Sequence, residues 1–141
     1  MRPSREPVLF VDRCLGKGAV ASALRLAGYS VEIHDEHFAQ DCDDSLWIRE
    51  VTRRGWIILT KDKAIRRHEG HKQAIREAGA AAFFLTSGDR TGDQNAHTFL
   101  EAMGRIIRLC EKHTRPLLAT VSASGAIKVI EGERRGGVRK G

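Results

Sequence analysis

The sequence predicts a three-layer α/β/α fold with a mainly parallel central sheet and a C-terminal β-hairpin. Short apolar segments alternate with segments of helical periodicity, and glycines follow the helical segments. Near the C-terminus, two apolar segments surround the turn sequence Ser122-Ala123-Ser124-Gly125, as in a hairpin. Strands that alternate with helices form parallel sheets covered on both faces, which gives three layers.

The first part of the chain is predicted to hold three strands and two helices. The first helix carries Val20, Leu24 and Ala27 on one face, and Gly28 caps its C-terminal end. Gly55 closes the second helix in the same way. In order, the elements are strand 8–11, helix 16–27, strand 30–34, helix 44–54 and strand 56–60.

The rest of the chain adds two helices, one strand and the hairpin. A basic helical stretch, interrupted at Gly70, is closed by Gly79, and the longest helix has an apolar stripe that includes Cys110. In order, the elements are helix 63–78, strand 80–85, helix 93–113 and hairpin strands 117–121 and 126–130. They form one predicted domain over 1–131, followed by a flexible basic tail over 132–141.

The composition is that of an ordinary globular protein. The 141 residues are 41% hydrophobic and 30% charged, enough for one domain with a sizeable core. No apolar run approaches the ~20 residues that a membrane span needs, and no signal-peptide pattern is present. The cysteines Cys14, Cys42 and Cys110 form no CxxC pair. We therefore expect a cytoplasmic protein with no membrane association.

The net charge favours an acidic partner. Lys and Arg number 24 against 18 Asp and Glu, which gives a formal charge of +6. A basic surface around an acidic pocket would suit a polyanionic substrate.

Three aspartates are the candidate catalytic and metal-binding residues. Asp12 follows the first strand and Asp62 follows the third, so both are predicted at the carboxyl edge of the sheet, where ligands of such folds bind. Asp44 begins the second helix, on the face that carries Trp47, and we expect its carboxylate to point toward the core. Asp44 reaches the same edge only if the acidic loop 35–43 crosses over to it.

Clustered carboxylates repel one another, and a hard divalent cation such as Mg²⁺ is the usual way to hold them together. A site of this kind keeps several waters and is typical of phosphate chemistry. Each aspartate also has a plain structural interpretation, as a helix N-cap or a turn residue. The three together favour a metal site.

The sequence resembles PIN-like domains, and the resemblance is closest to the short branch that includes VapC-type toxin ribonucleases. It covers about residues 7–87. The matching features are Asp12 at the end of the first strand, the segment Asp44-x-x-Trp47-Ile48, and the stretch from Gly55 to Arg66 with Thr60-Lys61-Asp62-Lys63 as its most specific part.

This resemblance implies an endoribonuclease that uses Mg²⁺ or Mn²⁺ held by clustered acids. Asp12, Asp44 and Asp62 match that acidic site. The ion would contact a phosphate oxygen and activate a bound water for in-line attack. Candidates for a fourth acid, in falling order, are Asp43, Asp89 and Glu36. Arg13 departs from the pattern, because related short domains often carry another acid there.

The resemblance also implies partners. RNA is the expected substrate, and a cognate antitoxin protein is expected to block the acidic pocket; a homodimer is compatible with the sequence. The stretch around Asp62 is strongly basic, so we expect RNA phosphates to contact Lys61, Lys63, Arg66 and Arg67.

Two other interpretations stay open. A PIN-like fold that has lost turnover would act as an RNA- or protein-binding module. Gly16-Lys17-Gly18-Ala19-Val20-Ala21 fits a GxGxxA dinucleotide-binding pattern, with Glu36 at the distance of a ribose-binding acid, although Asp12 to Leu15 separate it from the strand. The segment His68-Glu69-Gly70-His71 is one residue short of the zinc-protease HExxH pattern, and a solvated basic face explains it better.

Overall fold

A computed structural model of the chain describes residues 7–15, 18–61, 67, 69–86 and 90–134. It contains a six-stranded sheet with helices on both faces. The strands are β1 (Val8–Val11), β2 (Ser30–Ile33), β3 (Ile57–Thr60), β4 (Ala81–Leu85), β5 (His113–Val121) and β6 (Ile127–Arg134). The helices are α1 (Ala19–Leu26), α2 (Asp44–Arg53), α3 (Glu69–Ala78) and α4 (Gly92–Lys112), and 3₁₀ turns at Arg13–Leu15 and His34–Glu36 follow β1 and β2.

The strand order is β2-β1-β3-β4-β5-β6. Strands β1 to β5 pair in parallel, and β6 pairs antiparallel to β5 as the second strand of a hairpin. The predicted three-layer α/β/α fold is confirmed. Its parallel strands all end at one edge of the sheet, so the residues that follow β1 and β3 are neighbours there.

Alternate strand residues pack on opposite faces of the sheet. Phe10 of β1 packs with Trp47 and Val51 of α2, in a core layer that also includes α3. Its neighbours Leu9 and Val11 belong to the other layer, with α1 and α4. Burial of each large apolar side chain stabilises the fold by about 1.5–3 kcal/mol, so the layer that contains Phe10 and Trp47 holds α2 firmly against β1.

Glycines end α2 and α3 as predicted. Gly55 and Gly79 have φ angles of 80° and 76°, in the left-handed region that disfavours residues with a Cβ. Each lets the chain reverse directly into the next strand.

The structure corrects two strand boundaries. Gly70, where a helix interruption is predicted, lies inside α3, which begins at Glu69, and residues 63–66 and 68 of the predicted helix lie outside the described residues. Strand β5 begins at His113 and not at residue 117, and β6 continues to Arg134, beyond the predicted domain end. The cause is backbone pairing of His113 with Arg134 and of Thr114 with Glu133, which the polar composition of the segment does not reveal. Residues 135–141 of the predicted tail lie outside the described part of the chain.

In the described part of the chain, no helix is both long enough and apolar enough to cross a membrane.

Candidate active site

Asp12 lies at the carboxyl end of β1 and is 6% exposed. Its carboxylate accepts three hydrogen bonds. The backbone N–H of Arg13 donates to Oδ1 at 2.7 Å, and the Thr60 hydroxyl and the Cys14 thiol donate to Oδ2 at 2.8 and 3.3 Å. These contacts fix the direction of the carboxylate before any ligand binds.

The backbone explains why Asp12 stands at this point. Its N–H donates to the Leu59 carbonyl at 3.0 Å and so continues the β1–β3 pairing by one residue. The Leu15 N–H then donates to the Asp12 carbonyl at 3.1 Å, which turns the chain away from the sheet. Burial raises the pKa of Asp12 above its ordinary value, while the hydrogen bonds from Thr60, Cys14 and Arg13 act in the opposite direction.

Asp44 is the first residue of α2, and its orientation comes from the same helix. The indole N–H of Trp47 donates to Asp44 Oδ1 at 2.8 Å, and His71 Nε2 of α3 lies 3.8 Å from Oδ2. The Asp44 side chain is 31% exposed, so the expectation that it points into the core is wrong. The buried Trp47 indole holds the carboxylate at the edge of the core, where it still meets solvent.

Asp12 and Asp44 line the same cleft. This cleft has a volume of about 190 Å³ and is lined by Asp12, Arg13, Cys14, His34, Gln40, Cys42 and Asp44. Gln40 and Cys42 belong to the loop between β2 and α2. The loop therefore crosses to the carboxyl edge, which is the step that the sequence-based hypothesis required of Asp44.

Two of the candidate fourth acids, Asp43 and Glu36, are not among the described residues that line this cleft. The exposed Asp43 is the N-cap of α2, since its Oδ1 accepts from the Ser45 N–H at 3.2 Å. Glu36 lies 3.8 Å from Arg25 and is not among the lining residues. Asp62 and Asp89 lie outside the described residues.

The two carboxylates suit a hard divalent ion. Asp12 Oδ1 accepts one hydrogen bond, from the Arg13 N–H, and Asp44 Oδ2 lies 3.8 Å from His71 Nε2. Each of these two oxygens therefore retains a lone pair for a metal. Mg²⁺ is commonly bound through one or two carboxylates and keeps several waters. Among residues 7–15, 18–61, 67, 69–86 and 90–134, no three His, Cys, Asp or Glu side chains form a complete metal-binding group.

Arg13 lies at the rim of the cleft without neutralising its acids. Its Nε is 2.9 Å from Oδ1 of Asp35, and both side chains are more than 40% exposed, at 42% and 45%. The His34 ring lies 3.1 Å from the same Asp35 oxygen. Asp35 thus engages the nearest arginine, and the pKa of Asp35 is lowered chiefly by its hydrogen bond with His34.

Three site residues escaped the sequence-based prediction: Cys14, His34 and Thr60. Cys14 and Thr60 both contact Asp12, and the Lys61 backbone N–H lies 3.3 Å from the Cys14 sulfur. Burial and the Asp12 charge raise the pKa of Cys14 to about 12, so the thiol stays protonated and serves as a hydrogen-bond donor rather than a nucleophile. Thr60 could have been found from its place in the Thr60-Lys61-Asp62-Lys63 stretch, whereas His34 gave no sequence signal.

The basic residues predicted to bind RNA are only partly described. Lys61 is half-buried and lines a shallow depression with Arg90, Thr91 and Gln94. Arg67 is exposed. Lys63 and Arg66 lie outside the described residues.

Two of the six residues of the dinucleotide-binding pattern, Gly16 and Lys17, lie outside the described residues. The 3₁₀ turn Arg13–Leu15 separates β1 from this pattern. In the described residues 12–15, β1 is therefore not followed directly by the tight strand-to-helix turn of a dinucleotide-binding fold.

Comparison with known proteins agrees with this architecture. A family model described as a PIN like domain matches residues 7–87, more than half of the chain. The chain belongs to the PIN-like domain family. It is also 31% identical over 126 residues to the protein named "Putative ribonuclease VapC45" from Mycobacterium tuberculosis (strain ATCC 25618 / H37Rv), with 86% of this chain and 91% of that protein covered. No solved structure matches the chain.

Proposed function

We propose that the protein is a metal-dependent endoribonuclease in which Asp12, Asp44 and Asp62 hold Mg²⁺ or Mn²⁺. The observation that carries the proposal is the convergence of Asp12 and Asp44, which are far apart in sequence, on one cleft at the carboxyl edge of the sheet. Asp62 comes two residues after Thr60, the residue that donates to Asp12. The similarity to a named ribonuclease supports the same activity.

The divalent ion would supply charge stabilisation at the phosphate and lower the pKa of a bound water. The protein's own residues prepare its ligands. Thr60 and the Arg13 backbone N–H stabilise the ionised form of Asp12, and Trp47 fixes the rotamer of Asp44. Because these donors are already in place in the folded chain, binding an ion requires little reorganisation.

The RNA strand would be positioned by the cations near Asp62. Lys61, Lys63, Arg66 and Arg67 are proposed to contact phosphates, which hold a strand without reading its bases. The exposure of Arg67 agrees with such a role.

We further propose that the protein is the toxin of a toxin–antitoxin pair. The support is the similarity to a VapC-named relative. A cognate antitoxin would cover the cleft, and an Arg or Lys placed between Asp12 and Asp44 would replace the ion electrostatically.

Cleavage of mixed RNA with Mg²⁺, with Mn²⁺ and with chelator tests the activity. Asp12→Asn, Asp44→Asn and Asp62→Asn should each lower the metal-dependent rate at least a hundredfold, since a metal ligand is lost. Asp43→Asn is the matched control: it makes the same charge change next to Asp44, yet asparagine still caps α2. Full cleavage by all three site variants would reject the proposed site.

A further inference from the structure

A basic groove of about 500 Å³ lies between the second half of α4 and strand β6. Four exposed cations line it, namely Arg105, Arg108, Lys112 and Arg134, above an apolar floor that includes Leu109 and Ile127. No acidic residue is among the described residues that line it. The family match ends at residue 87, so the whole groove lies beyond the matched region.

The cations form a row that the helix dictates. Arg105, Arg108 and Lys112 follow one another at spacings of three and four residues, so their side chains share one face of α4. With a rise of 1.5 Å per residue, the row extends over about 10 Å. Arg134 faces the row from the end of β6.

These four cations differ from most other described surface cations, which have an acidic partner among the described residues. Within the described ranges, none of them is within 4.0 Å of a carboxylate, whereas Arg13, Arg53 and Arg76 pair with Asp35, Glu50 and Glu131. Glu101 lies one helical turn before Arg105, but its carboxylate lies near His97, with 4.0 Å between Glu101 Oε2 and His97 Nε2. The charge in the groove is therefore uncompensated, and an external anion can take its place.

We propose that this groove binds the phosphate backbone of the RNA substrate, as a second contact surface away from the cleft. The inference rests on the proposed ribonuclease function. A row of evenly spaced cations matches a polymer with one negative charge on every unit, and arginine forks fit phosphate oxygens. The floor offers apolar contact but no aromatic platform from Phe, Tyr or Trp among the described residues, so binding here should tolerate any base sequence.

The sheet sets how far the groove lies from the cleft. The order β1-β3-β4-β5-β6 puts four strand spacings between Asp12 and β6, which is roughly 20 Å across the sheet. A strand cleaved at Asp12 would reach the groove with nucleotides several positions away from the cut. The groove therefore adds affinity for long RNA.

The test measures binding of a labelled single-stranded RNA of about twenty nucleotides to the Asp12→Asn full chain over a range of salt concentrations. In this background, Arg105→Ala/Arg108→Ala should weaken binding and lower the slope of log affinity against log salt by about 1.4, or roughly 0.7 per lost phosphate contact. The control is Arg49→Ala/Arg53→Ala, which removes the same charge from α2, where both arginines have acidic partners. This control should keep the original slope.

Two results would contradict the proposal that the groove binds RNA. One is the same salt slope in the groove variant as in its parent. The other is a poly-glutamate peptide that binds as tightly as the RNA and loses affinity in the groove variant, which would assign the groove to an acidic protein segment. Because binding is measured without turnover, failure of the wild-type chain to cleave RNA would reject the proposed function and leave the groove result standing.

Discussion

Asp12 is buried, yet it accepts three hydrogen bonds, and these two facts act on its charge in opposite directions. Burial raises its pKa, whereas Thr60, Cys14 and the Arg13 N–H favour the ionised form. Burial is the larger cause, so the carboxylate is strained electrostatically at neutral pH until a cation arrives. The ionised Asp12 therefore costs stability in the metal-free protein, and a bound cation, as proposed, would offset that cost.

The first prediction concerns this cost. A raised pKa in the folded state means that the free energy of unfolding falls as pH rises through that pKa. In the presence of chelator, Asp12→Asn should therefore raise Tm at neutral pH by roughly 2–4 °C, the effect of about 1 kcal/mol in a chain of this size. The difference in Tm between Asp12→Asn and the wild type should narrow as the pH approaches 3.8, the ordinary pKa of an aspartate. The folded wild type then carries a neutral Asp12, as neutral as the asparagine of the variant.

Melting curves in chelator at several pH values check it, with the exposed Asp43→Asn as the control. A lower Tm of Asp12→Asn at neutral pH would show that the hydrogen bonds outweigh burial.

At the scale of elements, helix α2 connects the core to the cleft. Trp47 is 1% exposed and packs against Phe10, with ring centroids 5.2 Å apart, while its indole N–H binds Asp44. The packing of α2 on the sheet thus sets the position of a carboxylate at its N-terminus. Asp43 caps the same helix and fixes where it begins.

Trp47→Phe should separate these two roles. It keeps an aromatic ring in the core and removes the donor to Asp44, so we expect a loss of about 1–3 kcal/mol in stability and a clear fall in Mn²⁺ affinity. Trp56→Phe is the control, because Trp56 also stacks on Phe10, with centroids 6.1 Å apart, but its other ring contacts are with His37 and Arg54 and not with Asp44. Equal Mn²⁺ affinity in wild type and Trp47→Phe would show that the indole does not position Asp44.

In the whole molecule, the carboxyl ends of the parallel strands lie at one edge of the sheet. This arrangement of the strands was predictable from the sequence. Apolar runs predicted all six strands, and glycines such as Gly55 and Gly79 predicted helix ends. The sequence also predicted a shared site for Asp12 and Asp44, and both residues line one cleft in the structure. It could not predict Cys14 or His34 as site residues, because their roles depend on contacts across the sheet. The extension of β6 to Arg134 escaped because backbone pairing, and not side-chain pattern, forms it.

The proposed toxin role is tested in cells. Expression of the wild-type chain alone should slow growth, and expression of Asp12→Asn at the same level should not. The reason is that the growth defect would come from RNA cleavage and not from the amount of protein produced. Growth rates with matched soluble protein levels measure this. Equal growth of the two cultures would contradict a toxin role and leave the nuclease proposal open to the cleavage assay.

The claim that Asp12 and Asp44 share one ion is tested most directly by Mn²⁺ binding, followed by electron paramagnetic resonance. The wild-type chain is compared with Asp12→Asn, Asp44→Asn and the control Asp43→Asn. We expect one site whose Mn²⁺ affinity falls roughly tenfold or more in both site variants and stays unchanged in the control. Unchanged affinity in Asp44→Asn, with loss in Asp12→Asn, would contradict a shared site.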